Sequence, residues 1–276
     1  MVSRIDLRVI SVGNVPPDLV EKLRGEIEGC YRRLSSPGTV ELRLIDTAER
    51  LAGLLAKEKA ELGISTSGDE GFLATHDAWR GVPRITICVE RIMGLPKLLW
   101  QGIIRHEVAH TVLHGSLEYY IFRLPQDVLA MGRARGLGVP ILQQLFYYVS
   151  VAIKDYEATK LLVKHGYEEC QAALALHQLE VTEEDRLAWR MARQHPQARL
   201  VYLAAQLKPL LFAHPLLELP TTAQRVNRGV RAMLEHLPPE ERERLLTLAE
   251  RVTSDLSDDT HRNIEMALRL VLEALM

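Results

Sequence analysis

The feature that most constrains this chain is His106-Glu107-Val108-Ala109-His110. It sits in an apolar run, with Leu98-Leu99-Trp100-Gln101-Gly102-Ile103-Ile104-Arg105 before it and Thr111-Val112-Leu113-His114 after it. An H-E-x-x-H pattern puts chemistry on one face of a helix. Residues four apart lie one turn from each other on the same face, so His106 and His110 can bind one metal ion. Glu107 lies roughly 100° round the helix from His106, where it can flank the metal without ligating it. A carboxylate there can take a proton from a zinc-bound water, whose pKa the metal lowers to about 7. Pro96 suits a helix start and Gly115 a helix end. Apolar residues cover most of the helix between them, which predicts a buried central helix over 97–114. Two His and a Glu inside such a helix are costly unless paired or metal-bound. A buried His pair with carboxylate partners is the alternative to a metal site.

The 276 residues suit one large domain or two smaller ones with ample core. Hydrophobic residues at 47% and charged ones at 25% indicate a soluble globular protein. A net charge of -2 gives no electrostatic case for nucleic acid or an anionic membrane as partner. Cys30, Cys88 and Cys170 are scattered and odd in number, so neither a disulfide framework nor a CxxC metal site is indicated. The N-terminal residues alternate charged with apolar and lack a signal-peptide core, and no uncharged apolar run reaches transmembrane length. The expected compartment is the reducing cytoplasm.

Residues 4–12 alternate Ile5, Leu7 and Val9 with polar neighbours and meet Gly13-Asn14, a strand and a turn. Asp18 can cap a helix over 19–34. Residues 40–46 predict a second strand, and Asp46 or Thr47 can cap a helix over 48–62. Residues 63–83 are rich in Gly, Ser and Asp and predict loop with a short strand near 72–74. Residues 84–90, bounded by Pro83 and Gly94, predict a strand directly before the His-bearing helix. Beyond residue 96 only helical patterns follow, over 97–114, 116–132, 140–166, 168–179, 182–194, 197–213, 222–236, 239–254 and 258–275, punctuated by prolines. The expected fold class is α+β: an α/β N-terminal part carrying the His-bearing helix, then an all-helical C-terminal part. The expected domains are 1–180 and 181–276, with a soft boundary; one continuous body is the alternative.

Catalytic zinc usually has three protein ligands and one open position. His114 continues the i+4 series, but it lies about 12 Å along the axis from His106. Its expected role is that of a helix C-terminal His favoured by the dipole. Asp155 and Glu157 are better third ligands. Two residues apart on a helix, they lie on nearly opposite faces. Asp155 shares its face with Tyr148, Val151, Ala152, Ala158, Thr159 and Leu162, which is apolar; Glu157 shares its face with Lys154, Lys160, Leu161 and Lys164. Periodicity selects Asp155. Its burial demands a strong partner, a zinc ion or an Arg. Glu157 is expected to pair at the surface with Lys154 or Lys160.

HEVAH followed on a later helix by Asp155-Tyr156-Glu157-Ala158 resembles the gluzincin branch of the zincin metallopeptidases, over about residues 84–162. The resemblance implies a zincin-like domain with Zn2+ as cofactor, His106 and His110 as two ligands, Glu107 as general base, and Asp155 at the place of the acidic ligand. There are two departures: the ligand is Asp instead of Glu, and Thr159 stands where the family often has Asp. The metzincin extension is absent after His110. The implied activity is hydrolysis of peptide bonds through a zinc-activated water. A peptide or protein is the partner, and neither nucleic acid nor membrane is. Tyr119, Tyr120, Tyr148, Tyr156 and His114 are the candidates for steadying the oxyanion. The edge of strand 84–90 is the expected place for an extended peptide to add. A catalytically silent zincin scaffold, acting as a protein-binding or regulatory module, is the alternative. An intact Glu107 argues against it, because a purely structural site has no need of that carboxylate.

Overall fold

The computed structural model describes residues 5–35, 37–63, 71–121 and 123–276. A small mixed sheet with helices at the N-terminal end is followed by helices alone, the α+β arrangement that the sequence predicts. The chain divides into two compact units, Met1–Ile121 and Phe122–Met276. This division falls well ahead of the one expected near residue 180.

The first unit runs β1 (Asp6–Val12), α1 (Pro17–Arg33), β2 (Thr39–Ile45), α2 (Ala48–Leu62), β3 (Ala74–Asp77), β4 (Arg84–Cys88), α3 (Val89–Ile92) and α4 (Lys97–Leu113). The strands lie in the order β1-β2-β4-β3. β1 and β2 pair parallel with Val9 beside Leu42, β2 and β4 pair parallel with Leu42 beside Ile85, and β3 pairs antiparallel with β4, His76 beside Ile85. β4 is buried at every position because it has a strand on each side. The edge expected to receive a peptide is therefore not an edge: β3 covers it. The strand expected over 84–90 ends at Cys88, where the chain turns into the short helix α3. The strand expected near 72–74 lies at Ala74–Asp77, and residues 64–70 of that loop-rich stretch lie outside the described residues. Thr47, not Asp46, caps α2 by accepting from the Arg50 N–H. Asp18, expected as a cap, lies in the first turn of α1, whose cap position is Pro16. α4 packs against α1, β3 and β4 and is buried nearly all round, as its composition predicts.

The second unit runs α5 (Gln126–Ala134), α6 (Val139–Lys164), α7 (Glu168–Gln178), α8 (Glu183–Ala192), α9 (Pro196–Ala205), α10 (Leu207–Leu217), α11 (Ala223–Leu234), α12 (Pro239–Ser254) and α13 (Thr260–Ala274). The 26-residue α6 packs against α7, α9, α10 and α13. It is the core of this helical unit, which is why the boundary falls before it. The helix expected over 116–132 is a 3-10 turn at Leu117–Tyr120 and the separate α5, because Pro125 disfavours helix in the residue before it. The helix expected over 197–213 breaks at Gln206. Pro209 offers no N–H to the Ala205 carbonyl and its ring collides with it, so α9 ends at Ala205. By length and composition Pro196–Leu217 is apolar enough to cross a membrane, but 56% of its apolar 18-residue stretch is buried, and α10 packs on α6, α7, α11 and α12.

A four-residue edge strand has little of its own to hold it, and β3 is fixed by buried charge. Arg84 on β4 donates through Nη1 and Nη2 to the two carboxylate oxygens of Glu58 on α2, at 2.7 and 2.9 Å, and through Nε to Asp77 on β3 at 2.8 Å. All three side chains are buried. Burial pushes the Glu58 carboxyl up, but Arg84, helped by Arg43 and Arg80, outweighs it and holds Glu58 below the ordinary carboxylate range. Burial pushes Asp77 up, and Arg84 offsets that only in part. Arg84→Met strands both carboxylates and is expected to cost about 3–5 kcal/mol of stability in urea unfolding. A loss below about 1 kcal/mol would show that β3 is held in some other way.

Candidate metal centre

His106 and His110 on α4 are buried, and their Nε2 atoms lie 3.0 Å apart with the rings edge to face. At Zn–N distances of about 2.0–2.1 Å, a tetrahedral zinc holds two nitrogens about 3.3 Å apart. The pair would have to spread by only about 0.3 Å to seat one ion. At the present spacing one ring can also donate its Nε2–H to the other.

On the far side of His110, its Nδ1 lies 3.1 Å from Nδ1 of His114. Two such atoms share one proton. For His110 to present an Nε2 lone pair, its Nδ1 must carry that proton and His114 must accept it. His114 stands at the C-cap of α4, where the dipole favours it, and it is also fully buried and placed to orient His110. The next residue has to be Gly115, since a Cβ there would lie 2.2 Å from the Thr111 carbonyl oxygen. On another face of α4, the Thr111 hydroxyl donates to the Val108 carbonyl at 2.7 Å and accepts from Tyr31 of α1 at 2.5 Å, which fixes how α4 is rotated.

Glu107 is largely buried, and its Oε2 lies 2.7 Å from Nδ1 of His76 on β3. The His76 ring also stacks on His110, with centroids 3.9 Å apart and planes 13° apart. Sequence reasoning missed His76. By placing the short strand near 72–74 it left this residue in loop. The available signal was Thr75-His76-Asp77, a polar triplet just before a strand that is apolar at alternate positions. Tyr120 lies near the His76 ring, at 6.3 Å between centroids, and Tyr119 packs edge-on to His114 at 5.2 Å. Burial pushes the Tyr120 phenol up, as do the negative charges of Asp77 and Glu107, so it stays protonated and able to donate.

In the second unit, Asp155 lies on the buried face of α6, as its periodicity selects. Lys208 of α10 is an ion-pair partner of Asp155; Nζ is 3.8 Å from Oδ2, too far for a hydrogen bond. Burial pushes the neighbouring Lys154 ammonium down to about 8, against the pull of Asp155 and Glu157. Glu157, expected at the surface with Lys154 or Lys160, is half-buried: it attracts Lys154, and it also accepts from the Thr260 hydroxyl at 2.8 Å and the Asn263 amide at 2.9 Å of α13. Tyr148 is bonded to Gln144, and Tyr156 packs beside His214 with Lys160 over its ring.

No protein-family model matches the chain, and comparison with curated proteins and with solved structures gives no match either. The two hydrogen bonds from α13 give Glu157 a structural task. Glu157→Ala takes the acceptor from two donors and is expected to cost about 1–3 kcal/mol in urea unfolding, with Glu157→Gln costing less. A Glu157→Ala protein as stable as the wild type would contradict that assignment.

Proposed function

We propose that this chain is a zinc-dependent, gluzincin-like metallopeptidase, with His106, His110 and Asp155 as zinc ligands and Glu107 as general base. The observation that carries the reading is the convergence of the two Nε2 atoms at 3.0 Å beside a carboxylate that is engaged by His76. His106 and His110 of the first unit and Asp155 of the second are each buried, and each offers a ligand atom of a type that zinc takes. Two neutral imidazoles and one carboxylate suit zinc, and three protein ligands leave a position open, where a structural site tends to use four.

Held by His106, His110 and Asp155, a zinc ion would supply Lewis acidity toward a carbonyl and a water. Glu107 would accept the attacking water's proton and pass it to the amine nitrogen as the C–N bond breaks. A carboxylate has about four lone-pair sites, so the bond to His76 leaves capacity for that proton. His114 holds His110 in the tautomer that ligation needs. Tyr120, a protonated phenol near Glu107, is the best placed of the oxyanion candidates in the first unit. β3 forms the edge of the sheet, and an extended peptide pairing there would run past His76.

The purified protein is expected to bind about one zinc per chain, and His106→Ala or His110→Ala to abolish this. Asp155→Ala should weaken it. Glu107→Gln keeps the volume but cannot accept a proton at neutral pH. It is expected to retain zinc and to lose hydrolysis of an unfolded-protein substrate by on the order of 10²–10⁴. Zinc-dependent cleavage at the wild-type rate in Glu107→Gln would contradict the assigned role.

A further inference from the structure

We infer that His76 is a positioning residue, which holds the Glu107 carboxylate in its working orientation by donating Nδ1–H to Oε2. The inference rests on the metallopeptidase reading and adds to it a residue outside the helix motif.

An ionised carboxylate only accepts hydrogen bonds. With Glu107 ionised, as a general base must be, the 2.7 Å contact puts the proton on Nδ1 of His76. A neutral histidine has one N–H, so this bond fixes the tautomer. The ring has little freedom to leave. It lies on His110 at 3.9 Å and 13°, its strand pairs with β4 at Ile85, and the next residue, Asp77, is clamped by Arg84. Glu107 has three rotatable side-chain bonds beyond its Cα on α4. His76 adds a second point, from a different element, that fixes where the carboxylate oxygens lie. A misplacement of about 1 Å in a reacting group can cost on the order of 10² in rate. The ring touches both the base and one metal ligand, so a single strand residue holds two parts of the site in register.

Two substitutions separate the hydrogen bond from the packing. His76→Phe keeps an aromatic ring against His110 but cannot donate. His76→Asn loses the ring and keeps an amide N–H near the Nδ1 position. The zinc-loaded His76→Phe protein is expected to lose about 10²-fold in kcat on a peptide library, with KM and zinc content near wild type. His76→Asn should recover most of that rate. A second readout needs neither zinc nor activity. Nitrogen-15 NMR of the metal-free protein should show His76 as the Nδ1–H tautomer, and Glu107→Ala should return it to the Nε2–H form. A wild-type kcat in His76→Phe, a loss in His76→Asn as large as in His76→Phe, or an Nε2–H tautomer in the wild type would each overturn the role of His76 and leave the peptidase reading standing. A wild-type protein that binds zinc and cleaves no peptide would overturn the peptidase reading, and the role of His76 with it.

Discussion

Placing two imidazoles and a carboxylate on a helix as apolar as α4 is costly unless each finds a partner, and the first unit is arranged around meeting that cost. His106 and His110 face each other, His114 meets the outer nitrogen of His110, and His76 meets Glu107. The His76–Glu107 contact, which joins two elements, depends on both the rotation of α4 and the position of β3. The Tyr31–Thr111 bond sets the first, and the Arg84–Asp77 pair, anchored in turn on Glu58, sets the second. Charge buried away from the motif thus bears on where His76 meets Glu107.

The parts of this arrangement that follow a local period were legible in the sequence. The i, i+4 spacing put His106 and His110 on one face, and the apolar neighbours of Asp155 marked its side of α6 as buried. The proline at 209 was visible too, but the reading carried a helix across it, because the apolar pattern on both sides continues in phase. What escaped is what depends on contacts distant in sequence. His76 meets Glu107 across 31 residues and Glu157 meets Asn263 across 106. No periodicity encodes such a pairing. His114 was visible but misjudged: its distance from His106 rules it out as a ligand of the same ion, yet it does not stop His114 from acting through His110.

The domain boundary shows the same limit. Helical periodicity runs unbroken in kind from α4 to α13, so composition alone could not say that α6 belongs with the helices after it. Packing decides it, since α6 lies against α7, α9, α10 and α13. This leaves the proposed ligands split, with His106 and His110 in the first unit and Asp155 in the second. A carboxylate as short as Asp reaches less far than Glu, so its part in the site is the strictest demand that the metallopeptidase reading makes.

The most direct test is a crystal structure of the zinc-loaded protein, with the ion located by anomalous scattering at the zinc edge. The expected result is one ion bound by His106 Nε2, His110 Nε2 and an Asp155 carboxylate oxygen, at about 2.0–2.2 Å, with a fourth position open to water and Glu107 beside it but not ligating. An ion held by four protein ligands, or one that takes Glu107 or His76 in place of Asp155, would contradict the catalytic site described here.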